Sequence, residues 1–212
     1  ALCFSRMGIY SMNKKSIKLA EFVKNLTDFE FVSELDGNYG NMGATIIDGI
    51  LQAGINYNST VKPRVTKFLT EYPECKTTSQ FIDLYNTVTL SELINWKQSS
   101  KTVRIETLSE FLKSNDIETI EDFSSWLADD SNLELLKKLP GVKCKTADYF
   151  RILTGHETNA IDRHLINFIK LSGSQVSSYK EAHNIVSETS EILGIKESLF
   201  DHSIWKYMSS KA

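Results

Sequence analysis

The stretch Ser131–Ser172, SNLELLKKLPGVKCKTADYFRILTGHETNAIDRHLINFIKLS, holds residue types and spacings from which chemistry can be read. Ser131 followed by Glu134 reads as a capping-box start, Leu133, Leu135, Leu136 and Leu139 give an apolar stripe, and Pro140-Gly141 stops the helix. A second helix is expected from about Lys145 to Leu153, ended by Gly155. Two helices joined by Leu-Pro-Gly-Val present unpaired backbone N–H groups at the start of the second. A DNA phosphate can sit there without any side chain reading sequence. Ala160-Ile161-Asp162 then places Asp162 as the N-cap of a third helix, Arg163 to Ile169, at the positive end of the helix dipole.

LPGVKCKTADYF, followed by AIDRH, resembles the helix-hairpin-helix plus Gly/Pro…Asp signature of the base-excision DNA glycosylase superfamily that includes endonuclease III and 8-oxoguanine glycosylase. GATIIDGILQAGINYNSTVKPRV upstream and FDHSIWKYM downstream resemble a prokaryotic branch of it, so the likeness runs from about Gly40 to Met208. The resemblance implies an all-α fold of two helical lobes with a helix-hairpin-helix motif and an inter-lobe cleft. It puts the catalytic lysine of the bifunctional members at Lys145 and the catalytic aspartate at Asp162, on opposite walls of that cleft.

Cleaving an N-glycosidic bond builds positive charge on the sugar, which a carboxylate at Asp162 would stabilise. An unprotonated Lys145 amine can attack C1′, displace the base and form a Schiff base that permits strand cleavage by β-elimination. Lys143 is the candidate cation for lowering its proton affinity. The target nucleotide must be flipped out of the duplex to be reached. The hairpin residues Leu139, Gly141, Val142, Lys143 and Thr146 are candidate DNA contacts, together with Arg163 and His164. In related glycosylases a polar residue near the position of Gln52 enters the duplex, so Gln52 either takes that role or is an ordinary helix-terminal polar residue. Asn56, Tyr57, Asp201 and His202 are candidate pocket residues. Backbone carbonyls of Lys137, Leu139 and Val142 would hold a monovalent cation when DNA is bound. One departure stands out: Lys143 replaces the family's second hairpin glycine. If that position needs a left-handed backbone, a lysine there costs on the order of 1 kcal/mol.

The elements that must position these residues read as about ten helices, with no sustained period-two alternation. Apolar Leu19, Phe22, Val23 and Leu26 mark one face of Lys14–Leu26, and Ile46, Ile47, Ile50 and Leu51 mark a buried helix over Gly43–Ile55. Helices follow at Thr60–Tyr72, with Pro63 in its first turn, at Thr78–Tyr85, and from Thr89 with Glu92. Lys101–Lys113 carries Val103, Ile105, Leu108, Phe111 and Leu112, while Lys97, Lys101 and Arg104 near its start read as a solvated face, the alternative being an approach to phosphate. Thr119 with Asp122 caps a short helix, and Tyr179–Leu193 and Lys196–Met208 close the chain. Trp96, Trp126 and Trp205 read as core. Residues 1–12 read as a flexible leader, 40–157 as a central lobe carrying the hairpin motif at 131–153, and 13–39 with 158–212 as the second lobe.

A chain of 212 residues with 41% hydrophobic and 24% charged residues has the composition of a globular protein with a sizeable core. A net charge of −3 is unusual for a nucleic-acid binder. Between Lys137 and Lys170, however, seven basic residues face three acidic ones, a local +4. Cys3, Cys75 and Cys144 show no zinc-knuckle spacing and lack the four-cysteine array of the iron–sulfur branches, so no cluster is expected. Cys144, between two lysines, is a tolerated small residue or a reactive thiol. The reading is a DNA glycosylase with abasic-site lyase activity. It acts as a monomer on damaged double-stranded DNA, in a prokaryotic cytoplasm with no membrane involvement, nucleoid-associated when active. The alternatives are a non-catalytic helix-hairpin-helix DNA-binding module and a helical protein-binding adaptor.

Overall fold

The computed structural model describes residues 13–35 and 37–211, so the expected leader, residues 1–12, lies outside the described residues. Among the described residues there are twelve α-helices, one π-helical turn and no strand. The first six helices are α1 (Lys14–Asn25), α2 (Met42–Leu51), α3 (Lys62–Glu71), α4 (Thr78–Thr87), α5 (Leu90–Leu93) and α6 (Ser99–Ser114), and the π-helical turn Tyr57–Val61 leads into α3. The others are α7 (Ile120–Leu127), α8 (Asp130–Leu136), α9 (Cys144–Leu153), α10 (Arg163–Leu171), α11 (Tyr179–Leu193) and α12 (Glu197–Ser209). Each of the twelve has its counterpart among the segments read from the sequence, against an expected total of about ten. The chain divides into two compact units: Asp36–Ala160, and the segment up to Leu35 with Ile161–Ala212.

The unit Asp36–Ala160 is built around α2. Its sequence, MGATIIDGIL, offers almost no polar face, and all ten residues are buried, as expected of a helix that is apolar all round. Gly49 lets α9 approach: a Cβ there would lie 2.1 Å from the ring of Phe150. Phe68, Phe81, Phe123 and Phe150 are fully buried in the same core, each contributing about 1.5–3 kcal/mol by burial. On α6 the core-facing line runs through Lys101, Ile105, Leu108 and Leu112, all buried, whereas Val103 is 51% exposed. Those four positions follow the helical repeat and Val103 does not, so the expected solvated Lys101 is corrected to a core residue.

Helix starts follow local chemistry. Thr77 with Gln80 and Thr119 with Asp122 form capping boxes, and Thr89 donates to the Glu92 carboxylate at the start of α5. The expected capping box at Ser131 and Glu134 is not formed. Asp129 is the N-cap of α8, its carboxylate accepting from Ser131 N–H at 2.8 Å, and Glu134 pairs with Lys137 one turn on. An aspartate two residues earlier captures the first free amide, so the helix begins sooner.

In the other unit, Leu19 and Val23 of α1 pack with Leu165, Phe168 and Ile169 of α10, Ile185 and Val186 of α11, and Phe200 and Ile204 of α12. Between α1 and the end of this segment the chain forms no regular element, and Phe29 lies against Phe168 and Tyr207, with ring centroids 5.4 and 5.3 Å away. Gly194, at φ +66, ends α11 as the sequence implied. Trp96 and Trp126, expected in the core, are half-buried and pack against it, and Trp205 is half-buried.

Candidate active site

Helices α8 and α9 are joined by a tight hairpin. Val142 N–H donates to Leu139 O at 3.1 Å, Gly141 takes φ +80, and the Val142 side chain is fully buried. Only Gly141 needs a left-handed backbone; Lys143 sits at φ −124, ψ −177, ordinary extended geometry. The glycine replaced by Lys143 was therefore not required here, and the expected strain is absent. Lys143 is exposed, caps nothing with its side chain and leads directly into α9. Thr146 turns its side chain into the core at 3% exposure, leaving its backbone as the part that could serve a phosphate. Two of the seven basic residues of this stretch are committed elsewhere: Lys137 pairs with Glu134, and Arg151 meets Asp130 at 2.8 Å and Leu127 O at 2.9 Å.

Lys145 is the second residue of α9, so its side chain leaves the first helical turn. Its Nζ donates to Gln52 Oε1 and lies 5.7 Å from the centroid of Tyr149, one turn on. Gln52 is the C-cap of α2 and only 6% exposed. Its Nε2 donates to Gly49 O at 3.2 Å, which turns the carbonyl oxygen toward Lys145. Gln52, expected to enter the duplex, is thus a buried partner of the lysine amine.

Two further groups at α2 escaped sequence reasoning. Lys101 Nζ donates to Ile50 O at 2.7 Å and Ala53 O at 2.8 Å, with Leu51 O at 3.4 Å, satisfying carbonyls left open at the end of α2. Burial, followed by repulsion from Arg104 and Lys145, brings its pKa down to about 8. Asp48, fully buried, accepts from the hydroxyls of Tyr39 at 2.6 Å and of Tyr57 and Tyr149 at 3.2 Å. Burial and the Asp48 charge push the Tyr39 and Tyr149 hydroxyls far above the usual phenol range, keeping them donors. Tyr57, a candidate pocket residue, thus points its hydroxyl into this cage. Asn56 is exposed and accepts from Ser59 N–H at 2.9 Å, capping the π-helical turn. The available signal for the cage was an acid inside the apolar run Ile46-Ile47-Asp48-Gly49-Ile50-Leu51; the three tyrosines lie far apart in sequence.

In the unit containing α10, Asp162 is the N-cap as expected, its Oδ1 accepting from His164 N–H at 2.7 Å and Leu165 N–H at 3.2 Å. Arg163 is exposed, and Asp162 and His164 are half-buried. The Trp205 ring stacks on His202, with centroids 5.6 Å apart and planes at 16°, and meets His164 edge-on at 6.5 Å. Asp201 and His202 on α12 are both half-buried. The structure therefore brings Asp162's helix start and the first turns of α12 together through Trp205, a residue read from sequence as mere core.

A comparison with curated proteins returns no match. Among solved structures, the chain is similar to the crystal structure of the Helicobacter pylori 3-methyladenine DNA glycosylase (MagIII) bound to 1,N6-ethenoadenine. The TM-score is 0.61 and the identity 16%, over 93% of this chain and 98% of that one. The all-helical glycosylase fold expected from the signature stretch is thereby shown. A family model described as "Domain of unknown function (DUF8548)" matches residues 17–209, nearly all of α1 through the end of α12, and the chain belongs to that family.

Proposed function

We propose that this protein is a base-excision DNA glycosylase with abasic-site lyase activity. The observation that carries the proposal is the seating of Lys145. Its amine is gripped by Gln52 and rests by the Tyr149 ring at the first turn of α9, directly after the hairpin. The fold supports the same reading.

In the reaction, the unprotonated Lys145 amine attacks C1′ of a flipped-out nucleotide. The C1′–N bond breaks, the electron pair leaves with the base, and the leaving base takes up a proton. Opening of the sugar ring gives a Schiff base, whose electron demand allows loss of the C2′ proton and breakage of the C3′–O bond. The carboxylate of Asp162, fixed by its two amide bonds, stabilises the positive sugar. The substrate is double-stranded DNA carrying a damaged base or an abasic site. The exposed Lys143 and Arg163 are the residues we assign to phosphate, and Asp201, His202 and Trp205 to the base. At the hairpin, the Leu139 carbonyl keeps a second lone pair after accepting from Val142. This suits a monovalent cation shared with the Lys137 and Val142 carbonyls in the DNA complex.

The test is borohydride trapping on duplexes bearing an abasic site, 8-oxoguanine, an oxidised pyrimidine, uracil, 3-methyladenine or ethenoadenine, with Lys145→Gln and Asp162→Asn alongside. Covalent trapping that vanishes in Lys145→Gln is expected. Base release without trapping would make the enzyme monofunctional, and DNA binding with neither would leave a binding module.

A further inference from the structure

Helices α2 and α9 meet through two matched pairs. Asp48 and Gln52 stand one turn apart on α2 and its C-cap, and Lys145 and Tyr149 stand one turn apart on α9. Asp48 accepts from the Tyr149 hydroxyl at 3.2 Å, and Gln52 accepts from the Lys145 ammonium. Gly49, next to Asp48, lets the two helices close, since a Cβ there would strike the Phe150 ring at 2.1 Å. The pairing leaves Lys145 Nζ over the Tyr149 ring, 5.7 Å from its centroid. That lies within the roughly 6 Å over which the face of an aromatic ring attracts a cation.

Resting on the reading of Lys145 as the nucleophile, we propose that Tyr149 is a further catalytic residue, whose ring face stabilises the positive charge on the Lys145 nitrogen as the Schiff base forms. Nζ bonds to C1′, and the base, or water at an abasic site, leaves with its electron pair and a proton. The nitrogen lone pair then closes on C1′ as the C1′–O4′ bond breaks, and O4′ takes a proton from solvent. The product is an iminium, with one N–H in place of the ammonium's three and with its charge shared with carbon. Hydrogen-bond acceptors can do little for such a cation, whereas the ring face attracts diffuse charge without needing an N–H.

Bound DNA also removes water from the site. Desolvation raises the attraction of a ring for a cation from about fivefold in an equilibrium constant to about thirtyfold. The ring therefore favours the desolvated iminium over the hydrated ammonium of the resting enzyme, which is what accelerates a step. Asp48 is the positioning residue: it fixes the hydroxyl, and its buried carboxylate polarises the phenol so that electron density moves onto the ring.

The test replaces Tyr149 by phenylalanine and by phenylalanines carrying one, two and three ring fluorines. Shape stays nearly constant along this series while each fluorine draws charge from the ring face. Borohydride trapping on an abasic-site duplex at saturating DNA should fall stepwise along the series, and by about five- to thirtyfold in Tyr149→Leu, which has no ring. Trapping that is flat across the fluorinated series, or at the parental rate in Tyr149→Leu, overturns the inference. Asp48→Asn should lower trapping in the parent but not in Tyr149→Phe, because Asp48 acts through the hydroxyl; equal losses in both would remove its positioning role. Lysine ε-carbon NMR titration of the full chain without DNA supplies a second readout, with Lys145→Met assigning the resonance. Because the ring also faces the ammonium, the Lys145 midpoint should step downward with each fluorine, and an unmoved midpoint again overturns the inference. If the parent traps nothing, the proposed function fails, while the NMR series still decides whether Tyr149 supports charge on Lys145.

Discussion

The starts of α9 and α10 carry the two residues assigned to chemistry, and they are built in opposite ways. At α10 the functional side chain is itself the cap: Asp162 holds two backbone amides of its own first turn. At α9 the cap position, Lys143, holds nothing with its side chain, and Lys145 is fixed by Gln52 from another helix. Asp162 is thus anchored by residues two and three positions away, Lys145 by one ninety-three positions away. Local anchoring survives changes elsewhere in the core, whereas tertiary anchoring depends on α2 staying in place. The cap side chain of α10 engages two of its first-turn amides, whereas the cap side chain of α9 engages none.

The sharpest way to break this comparison is to separate Asp162's charge from its capping. Asparagine caps about as well as aspartate, so Asp162→Asn should leave thermal stability unchanged. Base release in single-turnover assays should fall by about 10²–10³-fold, as when one stabilising group is taken from a transition state. Asp162→Ala should show the same loss of rate and, in addition, about 1 kcal/mol of lost stability in denaturant melts. An Asp162→Asn enzyme with parental rate would reduce the carboxylate to a cap.

The hairpin before α9 gives the next largest effect. Gly141→Ala places a side chain at φ +80, which costs about 1–2 kcal/mol, and pushes its Cβ against the Arg104 side chain. Arg104→Ala in the same molecule should return only the contact part of the loss, since backbone strain remains. Urea melts of the two single variants and the double variant separate these parts. DNA affinity should follow the strain, because the amides offered to phosphate are oriented by this turn.

A third helix start shows what a carboxylate borrowed from elsewhere contributes. Glu118 accepts from Ser79 N–H at 2.9 Å, near the beginning of α4, and from Lys113 Nζ at 2.7 Å. Burial alone would raise its pKa, but the bonds from Lys113 and Ser79 outweigh it and lower the pKa to about 2. A depressed carboxylate contributes stability that is fully present above its unfolded value, near 4.5, and is lost as pH falls through the folded value, near 2. Allowing for solvent screening at this partly exposed site, Glu118→Gln should cost about 1 kcal/mol at pH 7. Parent and variant should converge in melts between pH 4.5 and 2.

What the sequence made legible follows the same division. Thr119 with Asp122, Gly194 after α11 and Asp162 before α10 are local devices, and each was readable because its partner lies within a few residues. Competition between neighbouring caps misplaced the start of α8, where Asp129, Asp130 and Ser131 are all able to cap and the first wins the free amide. Lys101 was misread because its charge outweighed its place on the line of Ile105, Leu108 and Leu112; the helical repeat, read without regard to charge, would have placed it inside. The Asp48 cage and the stacking of His202 on Trp205 depend on side chains brought together by packing, for which spacing carries no signal.

The smallest expected effect tests the departure at the hairpin itself. Lys143→Gly restores the residue that the glycosylase signature carries. Because Lys143 is extended at φ −124, glycine relieves no strain. Its preference for a cap position is worth a few tenths of a kcal/mol, set against about 0.5–1 kcal/mol of added chain entropy in the unfolded state. Stability should therefore change by less than about 1 kcal/mol, far less than for Gly141→Ala two residues earlier when folding costs are compared in the same melts. DNA binding supplies the more telling readout. If the exposed ammonium meets a phosphate beside the start of α9, the slope of log affinity against log salt should fall by about one in Lys143→Gly. An unchanged slope would leave the backbone as the hairpin's whole contribution to phosphate binding and set Lys143 apart as a solvated residue.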